Sequence, residues 1–125
     1  ELAFRLARYR QGAPPSDCPA SVAAVLSHID RHFTESCGID DLADMAGLSA
    51  SHLHARFRQA TGMSPHRYLV QQRMRAARHR LVTTLDPVRV VGAAVGYDNV
   101  EHFCRAFKQQ HGVTATAYRR RHTRL

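Results

Sequence analysis

An all-α chain of about seven helices, arranged as two similar units joined by one long helix, is the fold class that the sequence predicts. Three observations carry it. Apolar residues recur at spacings of three and four along most of the chain after residue 20, and no segment alternates apolar and polar positions over a useful length. Glycines 38, 47, 62, 96 and 112 stand where successive helical stripes stop. The pattern of residues 42–68 returns, in chemical type, over 91–118. With 125 residues, 44% of them hydrophobic, the chain can bury a core for one compact domain or two very small ones.

Residues 1–20 read as the tail of a preceding domain and a linker. The first ten, ELAFRLARYR, hold three Arg and no long apolar run, so they do not form a signal peptide. The start at Glu1 rather than Met points to a fragment or a processed chain. Gly12, Pro14, Pro15 and Pro19 place the linker at 11–19, since proline fixes φ and lacks an N–H. No run of about 18 apolar residues exists to span a membrane.

A first helix-bearing subdomain is expected over 21–64. Ser21 can cap a helix whose stripe is Val22, Val25, Leu26, Ile29 and Phe33, ended by Gly38. Asp40 or Asp41 opens a short helix with Leu42, Ala43, Met45 and Ala46, stopped by Gly47. Ser49 caps the next, which carries Leu53 and Phe57 and ends at Gly62. Ser64-Pro65 starts a long linker helix, 65–83, with Val70, Met74, Ala77 and Leu81 as its buried stripe. A second subdomain, 84–125, holds a short helix over 88–95, another from Asn99 to His111, and a last one over 115–122.

The repeat links the two subdomains. Leu42/Val91, Ala46/Val95, Gly47/Gly96 and Leu48/Tyr97 match at an offset of 49. After one inserted turn residue, His52/His102, Leu53/Phe103, Phe57/Phe107, Arg58/Lys108, Gly62/Gly112, Ser64/Thr114 and Tyr68/Tyr118 match at 50. Each copy is a short helix, a glycine-centred turn and a longer helix, which is the helix-turn-helix layout. The glycine supplies the positive φ that the tight turn needs, and Leu48 or Tyr97 fills the angle between the helices. Leu53/Phe57 and Phe103/Phe107 hold the second helix of each copy by one face. The other face is free: Ser51, His54, Ala55 and Arg58 in the first copy, Glu101, His102, Arg105 and Lys108 in the second. A helix held this way is narrow enough for a major groove.

Charge points the same way. Eighteen basic and ten acidic residues give a net charge of +8, and all the basic residues but Lys108 are Arg. Residues 1–48 carry −3 and residues 49–125 carry +11. A polyanion would therefore meet the later part of the chain, with nucleic acid the first candidate and an anionic membrane surface the second. The arginine preference also fits a GC-rich genome.

The strings DLADMAGLSASHLHARFRQATGMSPHRYLVQQRM and VVGAAVGYDNVEHFCRAFKQQHGVTATAYR resemble the arabinose-regulator (AraC/XylS) family of bacterial transcription regulators, over about residues 21–121. The resemblance implies a seven-helix domain with two helix-turn-helix units joined by the helix 65–83, and recognition helices that enter successive major-groove segments of duplex DNA. It also implies a second, effector-binding or dimerising domain missing from this chain, and RNA polymerase as a partner. Departures from the family pattern are Ala55 for a usual Arg, Arg80 for a common Leu, Gly92 for Ala, Ala115 for Pro and Glu101 for a small polar residue.

Candidate DNA-binding residues follow. Arg105 is the leading base or backbone reader; the bland alternative is a solvated arginine. Arg58 and Lys108, at matched positions, suit phosphate more than bases. His54 and His102 are candidate base readers or exposed neutral histidines, and Ser51 can donate one hydrogen bond. Glu101 can accept from cytosine, or is a first-turn acid favoured by the helix dipole. Ser49 and Asn99 are N-caps whose helix starts can also hold a phosphate. Arg73 reads as structural more than DNA-contacting.

Enzyme chemistry finds little support. There is no phosphate loop, nucleophile elbow or convergent acid pair, and no cofactor is implied. Cys18, Cys37 and Cys104 form an odd set without CxxC spacing, which fits reduced thiols, a cytoplasmic setting and no structural zinc. Cys104, beside Phe103, is expected to be buried. His28 and His32 have metal-ligand spacing, but the stripe at Val25 and Ile29 leaves both facing water. Two other readings stay open: a DNA-binding module fused to an alkyl-transfer repair enzyme, and a basic helical module that binds an acidic protein.

Overall fold

The structure, a computed structural model, describes residues 20–123. The linker expected at 11–19, Cys18 and the first ten residues lie outside them. The described residues form seven helices and no strand: α1 Ala20–His32, α2 Ile39–Ala46, α3 Ala50–Thr61, α4 Pro65–Thr83, α5 Val88–Ala94, α6 Val100–His111 and α7 Ala115–His122. No helix among them is long and apolar enough to cross a membrane.

Two compact units divide the chain. The first takes residues 20–32 and Cys37–Leu69; the second takes Phe33–Ser36 and everything from Val70 onward. The long helix α4 is thus shared, its first five residues belonging to one unit and the rest to the other.

In the first unit α1 packs on α2 and α3. The stripe Val22, Val25, Leu26 and Ile29 is buried, as are Leu42, Ala43, Leu53, Phe57, Met63, Tyr68 and Leu69. The Tyr68 ring meets Phe57 edge-on at 5.8 Å, and its hydroxyl donates to Asp30 Oδ1 at 2.6 Å. This fixes the start of α4 to α1. The buried Thr61 hydroxyl bonds the Phe57 carbonyl at 2.8 Å and accepts from the Met63 N–H at 3.2 Å, which leaves it satisfied as the chain turns into α4. Phe33 lies beyond the end of α1 and is half-buried, so the stripe stops four residues earlier than its spacing predicts.

The residues that follow α1 belong to the second unit and are held there by Arg73. Arg73 of α4 donates from Nε to the Phe33 carbonyl at 2.6 Å and from Nη2 to the Glu35 carbonyl at 3.0 Å. The guanidinium lies 5.2 Å from the centre of the Tyr97 ring. Arg73 is structural, as its place on the linker helix suggests.

Met74, Ala77 and Leu81 of α4 form the second core with Val91, Val95, Phe103, Phe107 and Ala115. Val70, expected in that buried stripe, is half-buried against it. Tyr118 meets Phe107 edge-on at 5.6 Å, which repeats the Phe57–Tyr68 pair at an offset of 50. Arg119 closes the end of α4 by donating to the carbonyls of Leu81 at 2.9 Å and Thr84 at 3.3 Å. Ala115, where the family usually has Pro, is buried at the start of α7.

Two expectations about side chains need correction. Cys104 is exposed, not buried: Phe103 and Phe107 take the core-facing positions of α6, and Cys104, turned about 100° from Phe103, falls outside that stripe. His28 and His32 are both half-buried rather than open to water, with their rings 4.7 Å apart. Among the described residues no three or more His, Cys, Asp or Glu side chains gather where they could hold a metal ion.

Candidate nucleic-acid interface

The repeat seen in the residues recurs in the hydrogen bonds. The Leu48 N–H donates to Ala43 O at 3.0 Å, and the Tyr97 N–H donates to Gly92 O at 2.9 Å, both partners displaced by 49. Gly47 at φ 71° and Gly96 at φ 111° turn the chain between the paired helices. At Gly96 space matters as well, because a Cβ there would stand 2.9 Å from the Arg73 guanidinium carbon. Leu48 and Tyr97 are half-buried in these turns, and the Tyr97 ring lies 5.6 Å from Phe103.

Each second helix is then capped at both ends in the same way. Ser49 Oγ accepts from the His52 N–H at 3.1 Å, while Asn99 Oδ1 accepts from Glu101 at 2.7 Å and His102 at 3.2 Å. Gly62 and Gly112 donate to the carbonyls of Arg58 and Lys108, each at 2.8 Å. Ser64 and Thr114 cap the helix that follows, accepting from Arg67 and Ala117 at 3.1 Å each. The first helix of each copy lacks such a cap. Gly38 before α2 and Pro87 before α5 make no side-chain bond, and in α2 Asp40 and Asp41 sit in the first turn, where the helix dipole favours a negative charge.

These caps fix the azimuth of each helix. Leu53 and Phe57 pin α3, and Phe103 and Phe107 pin α6, all four without measurable exposure. The opposite faces are open. Ser51, His54, Ala55 and Arg58 are exposed on α3; Glu101, His102, Arg105 and Lys108 are exposed on α6; Ser49 and Asn99 are exposed at the two helix starts. Every candidate residue is therefore accessible. His54 has a second environment, since it borders a cavity of about 350 Å³ lined also by Cys37, Ile39, Leu42, His66 and Leu69, all within the first unit.

Sequence reasoning put Cys104 in the core, whereas the structure exposes it. It sits three residues after Glu101 and four before Lys108, on one face with both and beside Arg105. The signal was present: at an offset of 50 it is the counterpart of His54. The burial habit of cysteine pointed the other way.

A family model described as a helix-turn-helix domain matches residues 42–121. This chain belongs to the AraC/XylS helix-turn-helix family. Similar AraC-type proteins include a bifunctional transcriptional activator/DNA repair enzyme of Bacillus subtilis, 31% identical over 98 residues, or 78% of this chain and 46% of that protein. The C-terminal domain of AraT, a response regulator from Geobacillus stearothermophilus, superposes with a TM-score of 0.83 at 28% identity, covering 88% of this chain and 92% of that one. The DNA-binding domain of AdpA, a global transcriptional factor solved with a target DNA, gives 0.77 at 28% identity, covering 82% and 93%. The chain spans less than half the length of the first curated AraC-type relatives that it matches.

Proposed function

We propose that this chain is the sequence-specific DNA-binding part of a bacterial transcription regulator, in which α3 and α6 each enter a major-groove segment of duplex DNA. The observation that carries this reading is the pair of similarly capped helices with open outward faces, in a stretch of chain whose charge is +11 after residue 48. Arg105, His54 and His102 are the base readers, with Ser51 and Glu101 as further contacts. Arg58 and Lys108 neutralise phosphates, and the helix starts at Ser49 and Asn99 offer backbone N–H groups to them. At Asn99 the side-chain oxygen is occupied by two backbone donors, so its amide NH2 is the group left for phosphate.

In the full protein this module acts in the cytoplasm, beside a domain for an effector or for dimerisation, and works on RNA polymerase rather than as an enzyme. The similar Bacillus subtilis protein, by its name both activator and repair enzyme, favours one alternative: the same module tethering a repair domain to DNA.

Selection from a random duplex pool at fixed salt, followed by sequencing of the retained DNA, tests the reading. The expected result is a common site with two separate boxes. Affinity for it should fall by about 10³ or more between 50 and 200 mM salt if six phosphates are contacted. Retention of no common sequence, with a nearly flat salt response, would overturn the proposal and favour a module that binds an acidic protein.

A further inference from the structure

We propose that His111 makes the second unit acid-sensitive: protonation of its ring releases the C-terminal end of α6, so that the α6 box is lost in acid while the α3 box is kept. This rests on the DNA-binding reading above and adds a regulation to it. The contrast between two matched helix ends carries the inference.

His111 is the last residue of α6. Its ring lies 4.3 Å from Phe107, edge-on, and 6.0 Å from Tyr118 of α7. Phe107 is one of the two rings that pin α6, and Tyr118 meets it from α7 at 5.6 Å. His111 and Tyr118 therefore both hold this anchor in place. The Nε2 atom of His111 is buried and unbonded. A histidinium carries a donor on both ring nitrogens, so protonation would leave a buried, charged N–H with no acceptor. The ring then has to leave the stack to reach water, and Phe107 loses one of the groups that pack it.

The first unit ends its recognition helix without such a group. At an offset of 50 the counterpart of His111 is Thr61, the last residue of α3. Its hydroxyl donates to the Phe57 carbonyl at 2.8 Å and accepts from the Met63 N–H at 3.2 Å. Thr61 is buried, fully bonded and has no proton to gain in mild acid. The same place in the repeat is thus pH-blind in one unit and titratable in the other.

The surroundings offer the histidinium no counter-ion. Arg78 of α4 brings a positive charge to the ring. Lys108 stands one turn back on α6, and the acid of that helix, Glu101, is ten residues away at the other end. On α7 the neighbours are Tyr118 and, stacked on it at 4.0 Å, His122; the remaining charged side chains there are Arg119, Arg120 and Arg121. Neither α4 nor α7 contains Asp or Glu, and the charged residue of α5 is Arg89. The carbonyl end of α6 favours a cation. Burial of the ring, and then Arg78, outweigh it and hold the His111 pKa below the ordinary histidine value. The ring is therefore neutral and seated near neutrality, and the release belongs to more acidic solution.

The experiment uses the whole chain, the site retained from the random pool, and two further duplexes in which one box or the other is scrambled. The α6 box is the one that Arg105→Ala relaxes. Binding is compared at fixed salt at about pH 7.5 and about pH 5, and the quantity read is the preference for the intact site over each scrambled one. A general gain in affinity from other histidines cancels in that ratio. In the parent, the preference that depends on the α6 box should fall toward one in acid, while that of the α3 box persists. His111→Thr, which installs the residue of the first unit, should keep both preferences at both pH values. His111→Phe, which keeps a ring against Phe107, should do the same. Proton NMR of the free chain supplies a readout without DNA: the Phe107 and Tyr118 ring signals should shift with the titration of His111. A parent that keeps its α6-box preference in acid overturns the inference and leaves the DNA-binding reading intact, as does an equal loss in both variants. If no site is retained at either pH, the claim about the boxes fails together with the DNA-binding reading. Ring signals that ignore the His111 titration would show that the helix end does not open.

Discussion

Gly92 of α5 lies so close to Phe103 of α6 that a Cβ built on it would stand 2.9 Å from Cγ of the ring and 3.0 Å from the Phe103 Cβ. The family usually has alanine here, and glycine costs about 1 kcal/mol of helix propensity against alanine. The contact accounts for the exchange. The obstructing atoms are the root of a buried ring, not the far end of a flexible chain. Gly92→Ala should therefore destabilise the second unit by about 1–3 kcal/mol despite the better propensity. Chemical denaturation of the variant measures this; a gain in stability would show that α5 and α6 can move apart without loss.

Phe57 and Phe107 anchor α3 and α6 to separate cores, and neither has measurable exposure. Each Phe→Ala change should cost about 3–5 kcal/mol. A variant melting like the parent would mean that its recognition helix does not depend on that ring.

The open faces differ in what they can read. Arg105→Ala should relax one or two positions in one box and cost about 1–3 kcal/mol. His54→Ala should relax the other box more mildly. Arg58→Ala should weaken binding to all sequences alike and reduce the salt slope by about one. Selected-site profiles and salt titrations of the three variants decide the assignment. An unchanged profile for Arg105→Ala beside an erased box for His54→Ala would make α3 the stricter reader.

His111, the last residue of α6, packs 4.3 Å from the Phe107 ring with its Nε2 buried and unbonded. Burial, and then the nearby Arg78 charge, hold its pKa below the ordinary histidine value. The unfolded chain thus takes up this proton more readily than the folded one. Stability is fully present above about pH 6.5 and is lost as pH falls from there through the lower folded value. His111→Phe keeps a ring against Phe107 and removes the titration. Its melting temperature should fall less between pH 7 and 5 than that of the parent; parallel curves would remove His111 from the account.

Much of this architecture was legible in the chain. Local rules sufficed for α3 and α6, where Ser49 and Asn99 cap, Gly62 and Gly112 stop, and paired apolar residues set the buried face. They failed where a distant partner decides. The spacing of Val22 to Phe33 gives no hint that Arg73, forty residues on, holds the Phe33 carbonyl just past the end of α1. Gly92 looked like a departure because its ring partner is on another helix. Cys104 was assigned by the habits of its residue type, when the register of the repeat already paired it with His54.

The bond between Arg73 and Phe33–Glu35 has a consequence for dissection and inheritance. The second unit is not one contiguous stretch of chain, because it borrows the four residues Phe33–Ser36 from between the two segments of the first. A fragment beginning at residue 70 keeps the guanidinium and loses its carbonyl acceptors, so excision of that half yields an incomplete object. A hybrid spliced within α4 would likewise join Arg73 to a foreign loop. Halves can be traded between relatives only when that loop and the arginine travel together, which makes the pair of units a single heritable part despite its doubled plan.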